Sequence, residues 1–121
     1  IEKNIFNPED YNHGHQIQQI EGEDDLFGDS TVMTVPTYGH TPGHQSLRVK
    51  LASGDIVLAA DACYFRKTLE DMHLPNIVFD KEQMLNSLKV LRQLQSAGAR
   101  IFYGHDPEFW DQVPQAPLQL T

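Results

Sequence analysis

Apolar and polar residues alternate over several short stretches of this chain, which is the pattern of strands that cover one face of a core. The predicted strands are residues 17–20, 31–36, 47–51, 56–60 and 100–103. The run from Ile56 to Ala60 is apolar throughout, and it predicts a strand covered on both faces. Ser53-Gly54-Asp55 predicts a tight hairpin turn between the third and fourth of these strands.

One segment instead has helical periodicity. Its apolar residues recur every three or four positions and form a single stripe: Met84, Leu85, Leu88, Leu91 and Leu94. Asp80 is predicted to cap this helix, with Gln83 completing a capping box, and Gly98 is predicted to end it. Asp106-Pro107 predicts the start of a short last helix.

The remaining segments lack periodicity. Residues 1–16 predict an irregular or weakly helical segment, residues 66–79 a loop and residues 112–121 an extended tail. Strands before and after a helix favour an α/β architecture in which helices cover a sheet. A length of 121 residues is enough for one domain with a modest core.

Composition narrows the class of protein. A net charge of −8 argues against a nucleic-acid-binding groove, and no apolar run approaches the roughly 18 residues that a membrane span needs. The single cysteine, Cys63, cannot form an internal disulfide and fits a reducing compartment, so the expected location is the cytoplasm. Because the chain begins at Ile1 rather than Met, we expect a processed or excised piece, or one whose upstream residues lie outside this sequence.

Three side chains that can bind metals follow three successive apolar runs: His44, Asp61 and His105. We expect the sheet to gather them on one rim, where imidazole and carboxylate donors suit zinc and similar ions. The two oxygens of Asp61 also allow it to bridge two cations. The ordinary alternatives are a polar residue in a Gly-Pro turn for His44 and a solvated strand end for Asp61. Asp106 could orient a histidine as a hydrogen-bond partner, but we predict that it caps the last helix.

These residues carry a resemblance to a known family. The segment His40-Thr41-Pro42-Gly43-His44-Gln45-Ser46, the apolar strand ending in Asp61 and the segment Tyr103-Gly104-His105-Asp106 together resemble the C-terminal half of the metallo-β-lactamase superfamily. More narrowly, the chain resembles the N-acyl homoserine lactonases, which are quorum-quenching enzymes. The narrower resemblance rests on a tyrosine three residues after the aspartate, on Ile20-Glu21-Gly22 and on Phe79-Asp80.

The resemblance implies half of an αββα sandwich and a site with two divalent metal ions, with zinc expected and iron, cobalt, manganese or nickel compatible. It makes His44 a ligand of the first metal, Asp61 the catalytic, bridging carboxylate and His105 a ligand of the second metal. Tyr64 would bind the substrate carbonyl oxygen and take part in catalysis. His40 is not a ligand in the family, and we predict a structural role for it. The implied reaction is hydrolytic opening of a lactone ring.

The chain departs from the family in one respect. The remaining metal ligands of the superfamily come from a His-x-His-x-Asp-His motif in the N-terminal half, and these 121 residues do not contain it. His13-Gly14-His15 imitates its start, but Ile17 and Gln18 stand where the aspartate and last histidine belong, so we predict a surface loop. We therefore expect residues 1–121 alone to bind metal weakly and to hydrolyse little, unless an N-terminal half or a second chain contributes ligands.

Other functions stay open from the sequence. A glyoxalase II-like thioesterase or another ester hydrolase would use the same fold, and Tyr64 is the residue that favours a lactone substrate. A non-catalytic truncated half that acts as an association module is the alternative of a different class. Half a sandwich would expose an apolar sheet face, which favours pairing with a second copy or with an N-terminal half. Cys63 is predicted to pack as a small apolar side chain.

Overall fold

A four-stranded sheet with helices packed on it forms the molecule. The structure, a computed structural model, describes residues 7–121. Its elements in chain order are a 3-10 turn (Pro8–Asp10), β1 (Val32–Pro36), β2 (Gln45–Leu51), β3 (Gly54–Ala60), α1 (Arg66–Asp71), α2 (Lys81–Ser96), β4 (Arg100–Tyr103) and α3 (Pro107–Trp110). The predicted α/β class is confirmed. No helix within residues 7–121 is long and apolar enough to cross a membrane.

The strands lie in the order in which they occur in the chain. β1, β2 and β3 are antiparallel neighbours, and β4 pairs with β3 in parallel after the chain has crossed over through α1 and α2. Leu51 pairs with Gly54, so the predicted hairpin is confirmed, but its connection is residues 52–53, because Gly54 and Asp55 already belong to β3. Because β3 and β4 are parallel, their carboxyl ends meet at the same edge of the sheet.

The core lies between one face of the sheet and α2. Its members have at most 4% of their surface exposed, and they include Val57, Ala59, Leu88, Leu91, Ile101 and Tyr103. The predicted apolar stripe of α2 is confirmed, because it supplies Leu88 and Leu91 to this core and Met84 is buried beside them. Burial of each such leucine contributes roughly 1.5–3 kcal/mol before entropy is counted.

Both ends of α2 are capped, but the predicted capping box is incomplete, because the Asp80 N–H donates to the Gly39 carbonyl and not to the Gln83 side chain. The Gln83 N–H donates to Asp80 Oδ1 at 2.9 Å, and the Gln83 side-chain amide contacts Asp80 Oδ2 at 3.3 Å. At the other end Gly98 has φ +106, and the Ala99 N–H donates to the Leu94 carbonyl at 3.0 Å. This pair of features is the Schellman ending that favours glycine.

Three predicted elements were wrong. Residues 17–20 form no strand: Ile17 and Ile20 lie three positions apart, so a strand would point them to opposite faces, and Ile17 is exposed. Residues 66–79 contain α1, which is too short for a periodic pattern and buries Leu69. The tail 112–121 is not extended but contains turns, one of them closed by the Leu118 N–H on the Gln115 carbonyl.

The second face of the sheet is less covered than expected. Val57 and Ala59 are fully buried on the α2 side, whereas Leu58, which points the other way, is 36% exposed. The prediction that β3 is covered on both faces was therefore wrong for residues 7–121. Of the irregular segment predicted over residues 1–16, the first six lie outside the described residues, and the rest holds only the 3-10 turn Pro8–Asp10.

Candidate metal centre

The end of β3 turns sharply to place Asp61. The pairing of β3 with β4 shifts register between Leu58 and Ala60, and Ala60 has φ +47, in the left-handed region. Such a conformation costs an alanine of the order of 1 kcal/mol, so the surrounding contacts must hold it. The strand thus stops at Ala60, and the next residue, Asp61, begins a turn at the edge of the sheet.

The segments that follow β3 and β4 are joined by backbone hydrogen bonds. The Gly104 N–H donates to the Cys63 carbonyl at 3.0 Å, and the His105 N–H donates to the Tyr64 carbonyl at 2.9 Å. A Cβ at Gly104 would overlap the Ala60 carbonyl, whose carbon would lie 2.8 Å away. We call residues 60–65 and 104–106 the paired segments.

The paired segments bring three predicted site residues into contact. His105 Nε2 lies 2.7 Å from Asp61 Oδ1. The Tyr64 ring stands edge-on to the His105 imidazole, with ring centroids 4.4 Å apart. The side chains of Asp61 and His105 are 43% and 58% exposed, so a ligand can reach them from solvent.

The turn between β1 and β2, residues 37–44, carries His40 and His44, and we call it the histidine turn. It closes on itself through the Thr37 N–H, which donates to the His44 carbonyl at 3.1 Å. The turn also packs against the start of α2: the Asp80 N–H donates to the Gly39 carbonyl at 3.0 Å, and a Cβ at Gly39 would lie 2.6 Å from the Met84 Cα. Only glycine fits there, since its φ is also +122.

His44 is held by one of its ring nitrogens. Its Nδ1 lies 2.9 Å from the Thr37 hydroxyl oxygen, and Nε2 has no hydrogen-bond partner among the described residues. Burial lowers the pKa of His44, and the neighbouring His40 adds to this effect. The imidazole is therefore neutral near neutral pH, which is the form that binds metals.

His40 joins the histidine turn to Asp61. Its Nε2 lies 3.5 Å from Asp61 Oδ2, and its ring stands edge-on to those of His44 and Tyr64 at centroid distances of 5.9 and 5.8 Å. Its Nδ1 is buried, and no hydrogen-bond partner for it exists within residues 7–121. The sequence predicted a structural role for His40, and the fold places its ring inside this cluster.

Tyr64 is suited to donate a proton in a hydrogen bond. Burial raises the pKa of its phenol, and the carboxylate of Asp61 raises it further. The hydroxyl therefore stays protonated at neutral pH.

The donor types fit a divalent transition-metal ion. The His105 imidazole and the Asp61 carboxylate lie in contact at the edge of the sheet, and the imidazoles of His40 and His44 follow in the same cluster. Within the described part of the chain, however, no three His, Cys, Asp or Glu side chains are grouped so that they would hold an ion by themselves. Asp61 and His105 instead contact each other directly.

Cys63 and the His13–His15 pair stand apart from this chemistry. Cys63 is fully buried, and burial raises the pKa of its thiol to about 12, so the prediction that it packs as an apolar side chain is confirmed. His13 and His15 are exposed on an irregular segment, as predicted for a surface loop.

Asp106 caps two helices at once. Its Oδ1 accepts from the Phe109 N–H at 3.0 Å, which confirms the predicted cap of α3. Its Oδ2 accepts from the Arg66 N–H at 2.8 Å and so caps α1, whose own N-cap residue, Phe65, supplies no side-chain bond. The Arg66 N–H lowers the pKa of this carboxyl most, and the Phe109 N–H adds to it.

Sequence reasoning missed Thr37 and Ser46. Both side chains are essentially fully buried, their hydroxyl oxygens lie 2.8 Å apart, and Thr37 holds His44. A signal existed in the hairpin register. Val35 pairs with Ser46, so the residue opposite His44 is Thr37. A buried polar side chain needs a hydrogen-bond partner, and for Thr37 a near partner is the candidate ligand His44.

Comparison with known proteins finds N-acyl homoserine lactonases that are similar to this chain over part of their length. No protein-family model matches the chain. It is 38% identical over 95 residues to the N-acyl homoserine lactonase AttM of Azorhizobium caulinodans, a match that covers 77% of this chain and 36% of the relative. It is 37% identical over 91 residues to the N-acyl homoserine lactonase AiiA of Bacillus thuringiensis subsp. kurstaki, covering 74% of this chain and 35% of the relative. The chain thus spans about a third of the length of the curated relatives that it matches.

Solved structures agree with this assignment. A structure of N-acyl homoserine lactone hydrolase with the product N-hexanoyl-L-homoserine bound at the catalytic metal center matches with a TM-score of 0.73 and 36% identity, over 82% of this chain and 39% of that one. A protein from Staphylococcus aureus described as a probable metal-dependent hydrolase shares the fold at 11% identity, with a TM-score of 0.63 over 72% of this chain and 31% of that one. Over the matched segment this chain is therefore a homologue of the C-terminal part of the N-acyl homoserine lactonases, with the corresponding part of the metallo-β-lactamase fold.

Proposed function

We propose that this chain supplies the C-terminal part of the active site of a metal-dependent hydrolase that opens the ring of N-acyl homoserine lactones. One observation carries the proposal. The side chains that the family resemblance singles out come from separate segments, yet Asp61, Tyr64 and His105 are in contact, and His40 links them to His44. The 36–38% identity to lactone hydrolases supports lactone hydrolysis as the reaction of this cluster.

In this proposal His44, Asp61 and His105 hold the metal ions. Two divalent ions fit the nitrogen and oxygen donors, with zinc expected and iron, cobalt, manganese or nickel compatible. Bound at this position, such ions would lower the pKa of water and polarise a carbonyl group. The remaining ligands would come from an N-terminal segment of the same polypeptide or from a second chain, for instance in a homodimer.

Tyr64 would orient the substrate. Its phenol keeps the proton because burial and Asp61 raise its pKa, so it can donate to the carbonyl oxygen of the lactone. That oxygen gains negative charge as water attacks, and a donor already in place stabilises the charge without reorganisation. The Tyr64 ring stands edge-on to the His105 imidazole, next to the candidate ligands.

His105 and Asp61 would have to separate for metal binding. Their direct contact of 2.7 Å uses the atoms that the ions need. His40 lies on the other carboxylate oxygen of Asp61 and would keep that side chain at the site while His105 turns. Because both side chains are partly exposed, this movement needs no repacking of the core.

The test uses the polypeptide that contains this chain, assayed with N-hexanoyl homoserine lactone and with an acyl thioester after metal analysis. Tyr64→Phe should lower kcat on the lactone by about 10²–10³-fold, the usual cost of losing a donor to a developing oxyanion. Tyr11→Phe is the matched control, because that tyrosine is exposed and belongs to none of the site contacts.

Residues 1–121 by themselves should show little turnover and weak metal binding, since they hold only part of the ligands. Faster hydrolysis of the thioester than of the lactone, with equal effects of Tyr64→Phe on both, would contradict the proposed substrate. Absence of bound metal in the active polypeptide would contradict the proposed chemistry.

A further inference from the structure

Two buried hydroxyl groups lie beneath the histidine turn. Thr37 is 0% and Ser46 is 1% exposed. A hydroxyl taken out of water is costly unless it is hydrogen-bonded, and these two are bonded in a chain. The Ser46 hydroxyl lies 3.1 Å from the Ala59 carbonyl oxygen, the two hydroxyl oxygens lie 2.8 Å apart, and Thr37 Oγ1 lies 2.9 Å from His44 Nδ1.

Along this series of hydrogen bonds, only one arrangement of the protons satisfies every contact. A carbonyl oxygen only accepts, so Ser46 must give its single proton to Ala59. The Ser46 oxygen can then only accept from its neighbour, and Thr37 must use its own proton there. Thr37 therefore has only a lone pair for His44, and the proton between them must sit on Nδ1.

We propose that Thr37 and Ser46 are positioning residues that hold neutral His44 as the Nδ1–H tautomer and so leave a lone pair on Nε2, the ring nitrogen available to a metal ion. The tautomer is a property of this chain's own hydrogen bonds. Its value for metal binding rests on the proposed function, since only a lone pair on Nε2 can serve as the ligand that the family resemblance assigns to His44.

The strands keep the hydroxyl chain from reorganising. Ser46 lies within β2 opposite Val35 of β1, and Ala59 lies within β3. Thr37 is fixed by its own N–H, which donates to the His44 carbonyl. Protons are thus donated inward, from the imidazole through Thr37 and Ser46 to the Ala59 carbonyl in the sheet. A histidine with its tautomer already set loses less freedom on binding a metal than one that must select it.

The tautomer is measured directly in the metal-free chain by nitrogen-15 NMR of labelled histidine, at a pH above the titration of His44. The expected result is a protonated Nδ1 and an unprotonated Nε2. Thr37→Val, which keeps the shape and removes the hydroxyl, should abolish the preference. Ser46→Ala should reverse it, because Thr37 is then free to donate to His44.

Two further variants serve as controls. Thr34→Val removes another buried threonine hydroxyl, one that accepts from the Asp24 N–H and donates to the Gly22 carbonyl, and it should leave His44 unchanged. Thr37→Ser restores the hydroxyl and should restore the wild-type tautomer. It also guards against a Thr37→Val protein that fails to fold.

A wild-type His44 protonated on Nε2 would overturn the inference, and so would a Ser46→Ala variant with an unchanged tautomer. In the polypeptide that carries all ligands, Thr37→Val should weaken zinc affinity by about 10–100-fold relative to Thr34→Val. Equal zinc affinities would overturn the assigned role in metal binding. If the tautomer is as stated but wild-type protein opens no lactone, the proposed function fails and the tautomer assignment stands.

Discussion

The histidine turn and the paired segments reach one site by different means. The histidine turn is supported from below, by the hydroxyl chain under His44 and by α2 against Gly39. The paired segments support each other through backbone hydrogen bonds between residues 63–64 and 104–105. The first depends on the sheet and on α2, whereas the second depends on how β3 and β4 end. Substitutions in the histidine turn should therefore act mainly on the stability of the fold. Substitutions in the paired segments should act also on the geometry of the site.

The largest effect is expected in the histidine turn. Gly39→Ala should destabilise the fold by about 3 kcal/mol or more, because the new Cβ overlaps the backbone of Met84 and the residue must keep a left-handed φ. Gly43→Ala in the same turn is the control, since nothing lies within 4 Å of its Cβ position. Urea unfolding compares them, and equal midpoints would show that the turn does not depend on α2.

The paired segments should respond to Gly104→Ala with a loss of roughly 2 kcal/mol, because the Cβ would push the Ala60 carbonyl away. Unlike Gly39→Ala, this change should also separate Tyr64 from His105 in the protein that remains folded. NMR contacts between the two rings give the readout. Gly98→Ala adds only left-handed strain, with nothing within 4 Å, and should keep those contacts. Intact ring contacts in Gly104→Ala would show that the pairing does not set the site.

The stabilisation that Asp106 gives to the paired segments should depend on pH. The pKa of this carboxyl is lowered in the folded protein, so its stabilisation is present above the unfolded pKa of about 3.9 and is lost as the pH falls through the lowered folded pKa. Asp106→Asn should cost about 1 kcal/mol at neutral pH and progressively less in acid. Asp80→Asn tests the single cap of α2 in parallel. A constant difference between wild type and Asp106→Asn from neutral pH to well below the folded pKa would contradict the assignment.

The smallest effect concerns Cys63, which reports whether the paired segments stay closed. Burial raises the pKa of its thiol to about 12, so reaction with a disulfide reagent at pH 8 should require local opening and be slow. Gly104→Ala should speed this reaction and Gly43→Ala should not. A fast reaction in wild-type protein would mean that the segments separate readily.

Sequence patterns predicted the parts of the fold in which one element satisfies its own rules. The apolar stripe of α2, the Asp80 cap and the Gly98 ending are local, and all three were found as expected. The short helix α1 was missed because its cap comes from Asp106, forty positions further along the chain. Isolated apolar residues such as Ile17 gave no reliable strand signal, since nothing in the alternation shows what would cover them.

In the candidate site, too, the sequence predicted some residues and missed others. The family resemblance identified His44, Asp61, Tyr64 and His105, and three of these are in contact. Their supports could not be read from the motif. His40 contacts Asp61 only because two loops converge, and Thr37 and Ser46 matter only because the hairpin register places them under His44. The sequence predicted which residue types serve the site, but it did not predict the contacts between different elements that support them.

The short bridge between Asp25 and Met33 has a consequence for self-association. β1 is the outer strand, and the segment before it occupies part of its free edge: the Thr34 N–H donates to the Asp24 carbonyl, and the Leu26 N–H donates to the Val32 carbonyl. Pro36 offers no N–H at the end of the same strand. The acidic stretch before β1 thus blocks edge-to-edge pairing of β1 with another copy of the chain. Deleting this stretch should make the protein prone to polymerise.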